Sequence, residues 1–366
     1  MIYNWQHEDW PKFYHDTAEA DELWQQFNLN AGQSSGLITG LSVADQQKVL
    51  LDNLVAEAMT TSAIEGEFFS REDVYSSIKK NLGLIPDKIV KDQKTKGIAA
   101  LVVKVHETYA KPLSKTMLFS WHKMLMQGYS NINKGKWRTG EEPMQVVSSA
   151  IGKEIVYFEA PPSHAVPDEM NRFIDWFNHT ALNKDGAIIN PMIRSAIAHL
   201  YFETIHPFED GNGRIGRAIA EKVLSQGIGS PTMFSISKEI DKDKKGYYTA
   251  LKQGQGTLDL TDWLSYFIRL IINAQQDALN ETLFTLKTSR FFDTYKDQLN
   301  QRQQKVIKRM VNAGHDGFEG GMTAKKFMSM TKASKATATR DLQSLYETGI
   351  LIKEGGGRNI HYQLKL

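Results

Sequence analysis

Apolar residues recur at helical spacing along most of the chain, and strand-like alternation is confined to two short places. Leu51, Leu54, Val55, Ala58 and Met59 form one apolar face. Ser42 with Asp45 opens it and Gly66 closes it, which predicts a helix ending in Thr61-Ser-Ala-Ile-Glu65-Gly66. Val74, Ile78 and Leu82 predict a helix from Ser70 to Leu82, and a charged, solvated stretch from Lys88 to Lys96 leads into another at Ala99 to Val105. Leu118, Trp121, Met124 and Leu125 mark a helix over Ser114 to Met126, in which His122 reads as a packing or surface residue. Met170, Phe173, Ile174 and Phe177 mark one over Glu169 to Asn178. A helix carrying Trp263, Phe267 and Ile268 follows Tyr247-Tyr248 and Gln253 to Gly256.

Met144 to Val147 and Ile155 to Phe158, around a polar turn, predict a β-hairpin closed by Pro161-Pro162. Gly32 to Gly40 reads as a flexible connection, and it lacks the Gly-Lys-Ser/Thr ending of a P-loop. The aromatics of residues 1–30, among them Trp5, Trp10, Trp24 and Phe27, are interleaved with acids that would repel nucleic acid, so they read as packing residues.

The densest chemistry lies between two helices. Asn190-Pro191 is an N-cap with proline in the first turn, and Met192, Ile193, Ala196, Ile197 and Leu200 form its stripe. Pro207 should end that helix near Ile205. A second is predicted from Arg214, with Ile215, Ala218, Ile219, Val223 and Leu224 buried. Between them lies His206-Pro-Phe-Glu-Asp-Gly-Asn-Gly-Arg-Ile-Gly-Arg217. A glycine-rich loop feeding a helix N-terminus suits phosphate. His206 could accept a proton from an attacking hydroxyl, and Asp210 is a hard oxygen ligand for Mg²⁺. Arg214 and Arg217 offer forked donors from one helix face.

Composition narrows the class. The 366 residues carry a formal charge of +2, with 23% charged residues and no cysteine, which excludes disulfides, thiol catalysis and Cys-ligated zinc. Neither a signal-peptide pattern nor an apolar run of about 18 residues occurs, so a cytoplasmic protein with no membrane partner is expected. Residues 300–366 differ from the rest, with twelve Lys and Arg against five Asp and Glu.

The stretch His206-Pro-Phe-x-Asp-Gly-Asn-Gly-Arg-x-x-Arg217 resembles the full signature of the Fic (Fido) family, whose usual activity transfers AMP from ATP to a protein hydroxyl. The resemblance implies His206 as general base and Asp210 as Mg²⁺ ligand. It implies Gly211, Asn212, Gly213, Arg214, Ile215, Gly216 and Arg217 around the ATP phosphates, with Arg214 near the β- and Arg217 at the γ-phosphate. Phe208 would anchor the loop. Thr61-x-x-x-Glu65-Gly66 is similar to the family's inhibitory motif in its N-terminal class, so Glu65 would pair with Arg217 and keep resting activity low. By position Tyr247 resembles a residue lining the base and Gln255 a polar neighbour. The hairpin at 144–158 resembles the flap on which a target segment lies, with Val146, Val147 and Ser148 as its contacts. Gly213 separates the chain from the Doc branch, which phosphorylates and has lysine there.

The expected fold is mainly α: a helical N-terminal region at 1–110 and a Fic-type helical core with a β-hairpin flap at 111–285, then a C-terminal winged helix-turn-helix at 298–366. In that tail Ser334, Lys335, Thr337, Thr339 and Arg340 would face a DNA major groove, and Arg358 a phosphate or minor groove; protein contact is the competing use. The sequence reads as an AMP transferase with a hydroxyl-bearing protein target, itself included. Removal of AMP and nucleotide-sensing transcription regulation are its alternatives. A second copy of the chain, in a homo-oligomer, is a further candidate partner.

Overall fold

The computed structural model describes residues 2–84, 90–147, 156–315 and 317–366. Helices α1 (Ala18–Thr39), α2 (Val43–Ile64), α3 (Arg71–Asn81), α4 (Gln93–Glu107) and α5 (Lys115–Leu125) precede an antiparallel pair, β1 (Gln145–Val147) and β2 (Val156–Glu159). Next come α6 (Val166–His179), α7 (Pro191–Ile205), α8 (Asn212–Ile228), α9 (Ile236–Lys242), α10 (Lys244–Gly254) and α11 (Thr261–Tyr295). The chain closes with α12 (Gln301–Val311), α13 (Ala324–Thr331), α14 (Lys335–Glu347) and a second antiparallel pair, β3 (Leu351–Glu354) and β4 (His361–Leu364). Packing divides it into two units, residues 1–33 with 47–276 and residues 34–46 with 277–366.

The first unit is built around α7, every residue of which is buried. A helix covered on all sides must satisfy its polar side chains internally. Arg194 therefore donates to Phe177 O at 2.6 Å and Ser195 to Ala220 O at 3.0 Å, while Thr204 accepts from Asn4 Nδ2 at 3.2 Å. Asn190 Oδ1 caps the start by accepting from Met192 N at 3.0 Å. The buried core runs from Trp10 through Leu54, Ile98, Trp121 and Phe173 to Val223, so residues before and after 110 share one core. Asn4 N–H donates to Gln255 O at 2.8 Å, and Trp5 Nε1 to Glu159 O at 2.8 Å. The aromatic N-terminus is thus packing surface, Tyr14 excepted.

In two places the chain differs from its sequence pattern. Gly32 to Gly40 is no flexible connection: α1 continues through Gly32 and Gly36 to Thr39. Each interior glycine costs about 1 kcal/mol relative to alanine, and burial of Phe27 and Asn30 on the same helix outweighs that local preference. Helix α4 begins at Gln93 rather than beyond Lys96, because both Asp92 carboxylate oxygens accept N–H groups, from Lys94 at 3.1 Å and Thr95 at 3.0 Å.

The second unit has its own core, with Val306, Ile307, Phe327, Leu342, Leu345 and Leu351 among its buried residues. Three short helices are followed by β3 and β4, and a bridge between Met322 and Tyr362 adds a third chain segment to that sheet. Arg302 Nε fixes α12 to α14 by donating to Asp341 Oδ2 at 2.7 Å.

Candidate active site

The site is the junction of α7 and α8. Helix α7 stops at His206, whose φ of 48° and ψ of 59° place it in the left-handed region rather than the extended one that a following proline favours. Arg138 holds that conformation. Its guanidinium donates to His206 O at 2.8 Å, Ile205 O at 3.3 Å, Pro161 O and Ser163 Oγ, so one buried side chain caps the last carbonyls of α7. Burial lowers its pKa to about 10, which still leaves it charged.

The loop after His206 is pinned from inside. Phe208 is fully buried, stacked on the His122 ring at 4.0 Å and packed on Trp137 at 5.0 Å. Asn212 closes the turn: its Oδ1 accepts from Phe208 N at 2.9 Å and its Nδ2 donates to Phe208 O at 2.8 Å. Gly135 N–H donates to His122 Nδ1 at 2.8 Å, which makes that nitrogen an acceptor and puts the proton on Nε2, 3.2 Å from Asp210 O. His122 is a neutral brace for the loop, its pKa driven down to about 4, chiefly by burial. Gly211 has φ of 81°, a left-handed angle that favours glycine, and a β-carbon there would press on the Met126 methyl at 2.6 Å.

Helix α8 then opens with Asn212, Gly213 and Arg214, positions whose N–H groups an α-helix leaves without internal acceptors. It starts two residues before the predicted Arg214. Arg217, 1% exposed, donates from Nη2 to Glu65 Oε1 at 2.7 Å and to Thr61 O at 2.8 Å, and from Nε to Thr61 Oγ1 at 2.8 Å. Burial alone would pull this guanidinium down, but Glu65 and Tyr247 hold it above its ordinary value. Gly213 makes room for the carboxylate: a β-carbon there would sit 2.3 Å from Glu65 Oε1. Arg214, 3% exposed, donates from Nη1 to Glu67 Oε2 at 2.6 Å and to Tyr129 O–H at 2.7 Å, and its Nη2 lies 3.4 Å from Asp210 Oδ1. Tyr129 O–H also donates to Glu67, and Lys94 Nζ reaches the other oxygen of Glu67 at 2.8 Å.

The His206 side chain, 16% exposed, has Nδ1 3.8 Å from Glu203 Oε2. Burial foremost, then the Arg138 cation, pushes its pKa down to about 4, so at neutral pH the ring has a lone pair to accept a proton. Burial raises Glu203 to about 8, against the opposing pull of Arg217, and keeps it protonated at pH 7. Asp210 is 49% exposed, and its Oδ1 accepts from Gly211 N–H. Among the described residues no three His, Asp or Glu side chains converge as a metal cage. One exposed carboxylate beside a phosphate-type helix start fits Mg²⁺ that arrives with a nucleotide's own oxygens, the usual arrangement for this ion.

The remaining sequence-predicted residues are placed variously. Ile215 is fully buried in the core, and its N–H bonds to Gly211 O at 3.1 Å. Gly216 packs against Glu203, where a β-carbon would lie 2.1 Å from Oε1. Tyr247 is buried with its hydroxyl 2.7 Å from His199 Nε2, and Gln255 Nε2 donates to Glu203 O at 3.3 Å, so both lie beside the α7 polar cluster. Val146 and Val147 lie on β1, opposite Phe158 and Val156, whereas Ser148 falls outside the described residues. Sequence reading missed Arg138, Tyr129, Lys94, Glu67 and Glu203. The signal for Glu203 was a carboxylate one helical turn before His206.

A family model described as the Fic/DOC family matches residues 112–224, and one described as a domain of unknown function (DUF4172) matches residues 3–84. A probable protein adenylyltransferase of Aquifex aeolicus is 26% identical over 171 residues, 46% of this chain and 46% of that protein. The protein adenylyltransferase Fic of Nematostella vectensis is 31% identical over 93 residues, 25% of this chain and 20% of that protein. The chain thus spans less than half the length of these curated relatives. A crystal structure of a Fic family protein from Desulfovibrio desulfuricans, 19% identical, superposes with a TM-score of 0.53 over 97% of this chain and 98% of that one. Residues 112–224 therefore match the Fic/DOC family, and the chain shares the fold of that solved Fic family protein.

Proposed function

We propose that the protein is an adenylyltransferase that moves AMP from ATP to a hydroxyl of a protein, and that Glu65 restrains it. The observation that carries this is the carboxylate of Glu65 on Arg217, over Gly213: an anion already sits where a helix start and a buried guanidinium would take a phosphate. In this reading the target hydroxyl oxygen attacks the α-phosphorus, the bond to the β-phosphate oxygen breaks, and pyrophosphate leaves. His206 accepts the hydroxyl proton, and its neutral ring is the form that can do so. Arg214 and Arg217 orient the β- and γ-phosphates, and the open N–H groups of α8 face the oxygens between them. Mg²⁺ held by Asp210 and the nucleotide would neutralise charge on the α/β-phosphates. Tyr247 and Gln255 are assigned to the base side of the pocket. Strands β1 and β2 pair only with each other among the described residues, which leaves edges on which an extended target segment could add.

Labelling with α-³²P-ATP tests the proposal. Glu65→Gly should label protein more strongly than wild type, and adding His206→Ala should abolish the label while nucleotide still binds. Equal labelling with and without His206 would end the general-base assignment. Loss of label from a premodified target only when Glu65 is present would favour AMP removal instead.

A second reading concerns residues 298–366 as a winged helix-turn-helix on DNA. Lys335, Thr339 and Arg340 are exposed on α14 within a segment rich in cations, which favours it; Thr337 is half-buried and the Arg358 side chain is outside the described residues. A gel shift lost in Lys335→Ala/Arg340→Ala would support this use, and unchanged shifts would exclude these residues.

A further inference from the structure

We infer that Glu67 is a second restraint on this site, occupying Arg214 as Glu65 occupies Arg217. The inference rests on reading the two arginines as phosphate ligands. Its geometry comes from the end of α2. Gly66 has φ of 80°, Gly66 N–H bonds to Ala63 O at 3.1 Å, and Glu67 N–H bonds to Ser62 O at 3.0 Å. This left-handed closure reverses the chain at Gly66, and the carboxylates on either side of it reach successive arginines of α8.

Glu67 does more than neutralise a distant cation. Arg214 Nη1 is bound to Glu67 Oε2 at 2.6 Å and to Tyr129 O–H at 2.7 Å, and Tyr129 donates to the same carboxylate oxygen. A phosphate taking Arg214 through its fork needs that nitrogen. Two anions cannot share it without strong repulsion, so Glu67 must leave when phosphate enters.

The structure also supplies the place to which it goes. Lys94 Nζ lies 2.8 Å from Glu67 Oε1 and 4.1 Å from the centre of the Tyr129 ring. A half-buried carboxylate released from Arg214 keeps this cation, which makes the released state accessible. Glu67 is a carboxylate poised between two cations, one belonging to the site and one outside it. Removing Glu67 and removing Lys94 should therefore act in opposite directions.

Equilibrium binding of AMP, ADP and ATP with Mg²⁺ to the full chain tests this. Glu67→Gln should tighten ADP and ATP alike by about tenfold, the worth of a charged hydrogen bond, and leave AMP unchanged. Glu65→Gly should tighten ATP alone, because only ATP brings a γ-phosphate to Arg217. Lys94→Met should weaken ADP and ATP severalfold, since Glu67 is left with Arg214 as its one cation. Unchanged or weaker ADP binding in Glu67→Gln would overturn the inference and make Glu67 a support for Arg214. If no variant distinguished AMP, ADP and ATP, the phosphate reading of both arginines would fall, and this inference with it.

Discussion

Gly213 and Glu65 compete for one volume, since a β-carbon on Gly213 would stand 2.3 Å from Glu65 Oε1 and 3.1 Å from Arg217 Nη1. The missing side chain at position 213 is what lets a carboxylate from α2 reach the guanidinium of α8. Gly213→Ala should therefore displace Glu65, costing about 1–3 kcal/mol, the worth of a hydrogen bond to a charged partner. In a Glu65→Gly background the same substitution should cost at least about 1 kcal/mol less. Urea unfolding of the four proteins gives the coupling, and strict additivity would show that the two residues do not share that space.

Arg138 joins three carbonyls and a hydroxyl around the turn at His206. Arg138→Met should destabilise the protein by about 2–5 kcal/mol, because these acceptors lose a buried, charged donor. It should also raise the pKa of His206, which the Arg138 cation helps to depress. Denaturant midpoints and NMR titration of the His206 ring check the two effects, and an unmoved ring pKa would contradict the electrostatic part.

Asn212 makes both of its bonds to the backbone of Phe208. Asn212→Ala should cost about 2 kcal/mol through the pair of lost bonds. Asn212→Asp keeps the acceptor for Phe208 N–H but loses the donor to Phe208 O, so its cost should come closer to that of alanine than to zero. Thermal unfolding separates them.

Stability should fall in mild acid. Burial depresses His122 and His206 to about 4 and His199 to about 3, so each is neutral when folded and gains a proton on unfolding below its ordinary 6.5. Their contribution is complete above pH 6.5 and is lost as pH falls through the folded values. At pH 5 the loss is about 2 kcal/mol for each histidine. Glu203, raised to about 8, works in the other sense, since its stabilisation is present at low pH and is lost as pH rises. Moving from pH 7.5 to 5, it offsets about 3 of the roughly 6 kcal/mol that the three histidines lose, so these four groups together leave a net loss of about 3 kcal/mol. Urea unfolding at the two pH values measures it, and equal stability would show that the histidines are more accessible than their packing indicates.

Helices α2, α3, α5, α6, α7 and α8 were legible because each carries an apolar stripe and most have a capping residue, as at Ser70, Ser114 and Asn190. The motif at residues 206–217 was legible because it is contiguous. What lay hidden depends on chain reversal and distance in sequence. Arg138 meets His206 from 68 positions away and Glu67 meets Arg214 from 147, and no periodicity encodes such meetings. Helix α1 was misread at Gly32 and Gly36 because local preference was the only sequence signal there, and tertiary burial decided otherwise.

The segment matched by the Fic/DOC family begins at residue 112, yet Arg214 and Arg217 owe their cover to side chains from residues 61–67. Leu51, Leu54, Val55 and Ala58 of α2 belong to the same core as Ile215, Ile219 and Val223 of α8. The inherited boundary therefore runs through the middle of one folding unit. Cutting the chain there would bare two cations and an oily helix face together. Glu65 and Glu67 can be replaced one at a time, but the segment that carries them cannot be deleted without taking away a wall of the candidate site.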